Sequence, residues 1–275
     1  VEYDRAVLRI STSGAIYRGS PTLYNGKLYR LTLDAHLVAL DMKTGKQLWK
    51  KPFANHLEGY KGVSAPLIAN GVMITGTSGG EHATRGFLVG WDPETGNELW
   101  RKHMIPAPGE PGHETWPKTA DSIPDAWKIG GASTWQNGSY DPELDLVYWG
   151  VGNAGPYDPK YRGEGDALYT NCVVAIRPKT GEIVWHYQYT PNDLYDVDAT
   201  NELVLAELRI DGQMRKVVMN GNKNGYFYVI DRTNGKLIAA HPMTRINWST
   251  HVDLKTGRPV LTDVGDRLRK GEEVE

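Results

Sequence analysis

"HLVALDMKTGKQLW" (36–49), "FLVGWDPETGNELW" (87–100), "CVVAIRPKTGEIVW" (172–185) and "YFYVIDRTNGKLIA" (226–239) repeat one local pattern. Each begins with an apolar strand, passes through polar residues to T-G or N-G, and ends in a second strand. The pattern describes a β-hairpin whose glycine supplies the positive φ of a tight turn. Three of the four end the second strand with tryptophan: Trp49, Trp100 and Trp185. A tryptophan at a fixed place in each unit reads as core, packed against the neighbouring unit. Trp49 and Trp100 lie 51 residues apart, Trp100 and Trp185 lie 85 apart, and Trp185 and Ile238 lie 53 apart. A period near fifty accommodates four short strands, one blade of a β-propeller. The longer middle interval signals an insertion of about thirty residues, "PAPGEPGHETWPKTADSIPDAWKIGG" (106–131). Its Pro and Gly content predicts an ordered loop with little regular structure.

The composition agrees with this reading. The 275 residues include 31 Gly, 15 Tyr and 9 Trp, a mixture expected of short strands joined by tight turns. Helical periodicity is scarce, so the expected fold class is all-β, a propeller with about five blades in this length. A propeller closes on itself to protect its edge strands, so another chain or a further segment is expected to complete the ring. The final stretch, 261–275, is charged and reads as a loop or tail. A net charge of −2 gives no electrostatic basis for binding nucleic acid or an anionic membrane. No run of about eighteen apolar residues is present, so no membrane span is expected. "VEYDRAVLRI" (1–10) does not read as a secretion signal, which a mature or truncated chain would have lost. The single cysteine, Cys172, excludes an internal disulfide and a C-x-x-C-H haem attachment.

Chemistry is sought where the units depart from their common pattern. "TPNDLYDVDATNE" (190–202) sets Asp196 and Asp198 two residues apart, with a third carboxylate at Asp193. On an extended backbone the first two would point the same way, and like charges on one side repel unless a cation lies between them. "SGGEHATRGF" (78–87) has glycines that let the backbone approach a flat ligand closely. "GGASTWQNGSYDPELDLVYWGVGNAGPYDP" (130–159) carries Trp135 outside the T-G repeat, shortly after a Gly-Gly pair. "GNKNGYFYVIDRTNGK" (221–236) places Lys223 just before the fourth hairpin, and "INWSTHVDLKTGRPV" (246–260) follows it. Taken singly these are weak signals, since a D-x-D pair or a Glu after a turn is usually solvated.

Taken together, these segments resemble the pyrroloquinoline quinone (PQQ)-dependent alcohol dehydrogenases, the methanol and ethanol dehydrogenase type of eight-bladed propeller. The resemblance extends over nearly the whole chain up to about Val260, and T-G-x-x-x-W is itself that family's blade-docking motif. It implies a PQQ cofactor stacked on Trp135 and contacted by Arg18, Ser78, Gly79, Gly80, Ser133, Lys223, Asn247 and Trp248. It further implies a metal ion held by Glu81, Asn153, Asp196 and Asp198, with Asp196 also the catalytic base. Asp198 stands where lanthanide enzymes of the family carry a second Asp and calcium enzymes tend to carry a small or neutral residue. The implied ion is therefore a lanthanide, with calcium the alternative; a trivalent ion gains from one more anionic ligand. Lys, where the family has Arg or Lys, points to the ethanol-type branch.

The implied reaction is oxidation of a small primary alcohol to an aldehyde in the periplasm, with a separate cytochrome c accepting the electrons. Two features depart from the family. "STSGAIYRG" (11–19) lacks the adjacent cysteines that form a disulfide over the quinone, and near "GVSAP" (62–66) only Ser64, one residue out of place, offers the expected hydroxyl. Family members are about twice this long, so the chain corresponds to about half of one. Two other readings stand beside the enzyme: a propeller scaffold that binds no cofactor, and an inactive fragment of a dehydrogenase. A scaffold has no reason to retain Glu81, Trp135, Asn153, Asp196 and Asp198 together.

Overall fold

A computed structural model describes residues 19–116, 118 and 121–274 of the chain. Four antiparallel sheets of four strands follow one another, each a meander with strands paired in sequence order. The first contains β1 (Thr22–Tyr24), β2 (Lys27–Leu31), β3 (His36–Asp41) and β4 (Gln47–Pro52). The second contains β5 (Leu67–Ala69), β6 (Val72–Gly76), β7 (Phe87–Trp91) and β8 (Glu98–His103). The third contains β9 (Ser139–Asp141), β10 (Leu146–Gly150), β11 (Cys172–Ile176) and β12 (Ile183–Gln188). The fourth contains β13 (Val204–Ile210), β14 (Gln213–Gly221), β15 (Tyr226–Asp231) and β16 (Leu237–Pro242). These are propeller blades, as the repeat predicts. The fifth unit is only a two-stranded hairpin, β17 (Ser249–Val252) with β18 (Pro259–Leu261).

Side-chain alternation explains how the blades stack. Successive residues of a strand face opposite sides of its sheet. In β6, Met73 joins a core cluster with Tyr29, Leu37 and Phe87 between the first and second sheets. Its neighbours Val72 and Ile74 join Leu88, Val147 and Trp149 between the second and third. One residue along, Tyr148 turns the other way and packs with Tyr187, Val218 and Tyr228 between the third and fourth. Strands β7, β10 and β11 are therefore buried at every residue, whereas the outer strands β4 and β8 alternate exposed and half-buried positions. Each large aliphatic or aromatic side chain so buried contributes about 1.5–3 kcal/mol. No cluster among the described residues joins the first sheet to the last, so the sheets form an arc.

The repeated hairpin carries the device that joins one blade to the next. Strand pairing shifts register at the same place in every repeat, between Ala39/Leu40, Gly90/Trp91, Ala175/Ile176 and Val229/Ile230. The turn is capped by an aspartate in three of the four: Asp41 accepts from the Thr44 backbone at 2.7 Å, Asp92 from Glu94 at 2.7 Å and Asp231 from Thr233 at 3.0 Å. The tryptophan ending each of the first three repeats lies on the turn glycine of the following one. A Cβ placed on Gly96 would lie 2.9 Å from the Trp49 ring, one on Gly181 2.4 Å from Trp100, and one on Gly235 2.6 Å from Trp185. Two indoles also donate to backbone carbonyls of that next turn, Trp49 to Glu94 at 3.2 Å and Trp100 to Pro178 at 2.9 Å.

The β17–β18 hairpin folds back instead of extending this series. Tyr187 of the third blade lies against Gly257 and donates its hydroxyl to the Gly257 carbonyl at 2.7 Å, and Arg258 pairs with Asp166 at 2.7 and 2.8 Å. Within 106–131 the described residues form no strand, only 3-10 turns at His113–Thr115 and Ala126–Ile129. The charged stretch 261–275, read as a loop or tail, contains a helix, Asp263–Arg269. Thr262 caps its N-terminus, accepting from Gly265 N–H, with acidic residues in the first turn and arginines in the last, an arrangement the helix dipole favours.

If the indole-on-glycine contact locks the blades, Gly181→Ala should destabilise the chain by about 2–4 kcal/mol, through left-handed strain plus collision with Trp100. Gly212, in the β13–β14 turn at φ +78, has open space around it; alanine there should cost only about 1 kcal/mol of strain. Urea unfolding of both variants checks this, and equal losses would contradict the lock.

Candidate cofactor and metal site

Loops from successive units meet at one place. The Ser78–Glu81 turn leaves β6 and is pinned by its backbone: Lys61 and Ser78 exchange bonds of 3.1 and 2.9 Å. Gly79 sits at φ +116, and a Cβ there would lie 2.2 Å from the Gly59 carbonyl, so the sequence needs glycine at this point. Gly80 is buried, with its Cβ position 3.4 Å from Ser133 Oγ, while Glu81 is exposed. Ser133 arrives on the segment after the insertion, and its carbonyl accepts from Gly152 N–H at 2.7 Å. A Cβ on Gly152 would lie 2.6 Å from Asp198 Oδ1 and 2.8 Å from Ser133 Oγ. Those two oxygens thus face one spot that only a glycine leaves open.

Asp198 is the hub. Trp135 donates its indole N–H to Oδ2 at 3.3 Å, and the Asn153 backbone N–H donates to Oδ1 at 3.1 Å. Burial pushes the Asp198 carboxyl up to about 6, and the neighbouring Asp196 charge adds to the rise. The Asn153 N–H, Lys223 and Trp135 oppose it without cancelling it. Asp196 is half exposed and faces Lys223, whose ammonium lies 3.5 Å from its carboxylate and donates to its backbone carbonyl. Tyr157 lies among the same groups: burial first, then the charges of Asp196, Glu81 and Asp198, hold its phenol at about 12.

One premise of the sequence reading does not hold. Asp196 and Asp198 are not on extended backbone; both occupy the left-handed region, at φ 55° and 46°. Aspartate tolerates this conformation better than most residues, and the loop's curvature brings the pair together. Asp193, the third carboxylate of the motif, turns inward instead, accepting from Tyr195 N–H at 2.9 Å and Val197 N–H at 2.7 Å.

Ser133, Trp135, Asn153, Asp196, Asp198 and Lys223 are therefore linked by contacts or charges, Gly80 adjoins Ser133, and Glu81 joins through its field at Tyr157. The Trp248 indole donates to the Asn224 carbonyl at 3.0 Å and stands edge-on to Tyr226, and the Asn247 carbonyl accepts from Thr262 Oγ1 at 2.6 Å. Asn247 and Trp248 line, with Lys223, a cavity of about 300 Å³, whose walls include Tyr195 and Val197 but neither Asp196 nor Asp198. Ser64 is buried. Arg18 lies outside the described residues. Sequence reasoning missed Tyr157 and Arg162, although both follow closely on Asn153 in "GNAGPYDPKYR" (152–162).

The donor set fits a hard cation. Asn153 Oδ1 is buried without a hydrogen-bond partner, an oxygen whose desolvation is uncompensated until something binds it. Asp198 is a desolvated carboxylate beside a second one, which a cation between them would relieve. Among the described residues no three His, Cys, Asp or Glu side chains stand close enough to hold a metal, so Glu81, Asp196 and Asp198 are not preassembled as a ligand set.

Known proteins place the chain in context. Residues 53–245 match the family model described as the β-propeller domain of glucose/ethanol/alcohol dehydrogenases. The quinohemoprotein alcohol dehydrogenase ADH IIB of Pseudomonas putida is 44% identical over 273 residues, covering 94% of this chain and 38% of its own length. The quinoprotein alcohol dehydrogenase PedH of Pseudomonas putida is 39% identical, covering 91% of this chain and 44% of its own length. A europium-containing methanol dehydrogenase superposes with a TM-score of 0.82 at 35% identity, over 88% of this chain and 44% of that one. The chain thus spans less than half the length of these relatives.

A cation bound at Asp198 must displace its proton, so affinity should depend on pH. Calorimetric titration with La³⁺ should give constant affinity above about pH 7 and about tenfold weaker binding per unit below about pH 6. Affinity unchanged from pH 5 to 7 would exclude Asp198 as a ligand.

Proposed function

The chain belongs to the glucose/ethanol/alcohol dehydrogenase β-propeller family, and we propose that it forms the catalytic portion of a PQQ-dependent enzyme oxidising a primary alcohol to an aldehyde. The observation that carries this reading is the pairing of the partnerless Asn153 amide oxygen with the desolvated Asp198 carboxylate beside the Trp135 indole.

Asn153 Oδ1, Asp198 and Asp196 would hold the cation, with Glu81, which is not preassembled with them, closing on it when it binds; the cation is a lanthanide in our reading, with calcium the alternative. The Trp135 face, Ser133, the Ser78–Gly80 turn and Lys223 would hold the quinone. When bound, the quinone supplies the hydride acceptor and the cation supplies Lewis-acid polarisation. The chain's own residues do the rest. Asp196, half exposed and anchored by Lys223, meets the alcohol hydroxyl and takes its proton, a role that contributes about 10²–10⁴-fold for a well-placed base. Lys223 keeps positive charge where negative charge grows, a preorganised interaction that needs no rearrangement during the reaction. The Gly152 opening keeps Asp198 and Ser133 facing the site.

We further place the reaction in the periplasm, with electrons passing to a cytochrome c. With a single cysteine in the chain, the C-x-x-C-H attachment lies on another protein or segment.

Adding PQQ with La³⁺ or Ca²⁺ to the purified chain and following ethanol-dependent dye reduction tests the reading directly. Asp196→Asn should lower turnover by at least about 10²-fold while leaving quinone binding intact; an active variant would remove Asp196 as the base. Asp198→Ala should abolish La³⁺-supported turnover while sparing the weaker activity with Ca²⁺. Equal loss with both ions would refute the lanthanide assignment.

A further inference from the structure

The two limbs that carry Asn153 and the Asp196–Asp198 pair come from different loops, and one buried side chain ties them together. Arg162 is 2% exposed, at the end of the short helix Pro159–Arg162. Its guanidinium donates to the carbonyls of Pro156, at 2.5 Å, and Tyr157, on the loop that leaves Asn153. It also donates to Asn192 Oδ1 at 2.7 Å and the Asp193 carbonyl at 2.6 Å, on the loop that enters Asp196. The planar fork of arginine can reach four acceptors in this way, which lysine cannot do. Asp193 continues the connection. Its carboxylate accepts from Asn171 Nδ2 at 3.1 Å and from the backbone N–H groups of Tyr195 and Val197. Those bonds shape the segment on which Asp196 and Asp198 both hold left-handed conformations. No hydrogen bond among the described residues joins Arg162 or Asp193 directly to Trp135, Asp198 or Asn153; the two act on the loops that carry them.

We propose that Arg162 and Asp193 are positioning residues that set the separation between Asn153 and the Asp196–Asp198 pair, and thereby the affinity and hydration of the cation held there. This rests on the reading of those three residues as the cation's ligands. Partners behind the ligands of a metal site typically govern affinity by about 10–100-fold.

Terbium luminescence of the 275-residue chain, excited through tryptophan, tests it, because Trp135 lies against Asp198. Arg162→Ala should weaken Tb³⁺ binding by about 10–100-fold at temperatures where the variant is folded. Lifetimes in H₂O and D₂O should reveal at least one additional bound water, as a ligand drifts out of reach. Millimolar guanidinium ion should restore affinity to Arg162→Ala and to no other variant, a rescue that general destabilisation would not produce. Asp193→Asn, nearly isosteric, should weaken binding while accelerating hydrogen exchange at the Val197 amide, and it carries the test alone if Arg162→Ala does not fold. Folded variants with wild-type affinity and hydration would overturn the proposal. Failure of the wild-type chain itself to bind Tb³⁺ would overturn the ligand assignment, and the positioning role with it.

Discussion

The seating of one repeat's tryptophan on the next repeat's turn glycine is the constraint from which the architecture follows. The indole occupies the volume a side chain would fill, so the turn must be glycine and the two blades can meet in only one register. Because the contact recurs at Gly96, Gly181 and Gly235, it fixes the same step between neighbours three times. Alternating side chains then find partners on both faces, and the middle strands of the second and third blades, β6, β7, β10 and β11, are buried throughout. A repeated step also brings equivalent loops of successive blades to one end of the arc. That is where the Ser78–Glu81 turn, the Ser133–Trp135 segment, Asn153, the Asp196–Asp198 loop and Lys223 assemble.

The site holds polar groups whose burial is uncompensated. It leaves an amide oxygen unpartnered and desolvates one carboxylate beside another. Such features cost stability, and proteins retain them where a ligand offsets the cost. The two aspartates in left-handed conformation are of the same kind. They persist because Asp193, Arg162 and Lys223 hold the loop from three directions.

Much of this was legible in the residues, for a physical reason. Turn glycines, strand alternation and the terminal tryptophan are local requirements, so the repeat announces itself within fourteen positions. Family membership followed from separate motifs in order. What could not be read was direction and conformation. Spacing alone suggested that Asp196 and Asp198 share an extended strand, whereas curvature joins them; the same spacing gave no sign that Asp193 points inward. Arg162 escaped notice because its partners are mostly backbone carbonyls, which leave no trace in residue identity. Asn247 and Trp248 match a motif by type, and residue identity gave no sign that the Trp248 indole bonds the Asn224 carbonyl. The helix Asp263–Arg269 was hidden by its charge, since capping and dipole effects stabilise it without a large apolar face.

The proposed site requires a hard cation shared by oxygens from separate loops, and anomalous diffraction locates such an ion most directly. Crystals grown with PQQ and Tb³⁺ should show one strong anomalous peak beside the Trp135 ring, about 2.3–2.6 Å from Asn153 Oδ1 and from an oxygen of Asp198. A peak bound only at surface carboxylates, with Asn153 Oδ1 left bare, would contradict it.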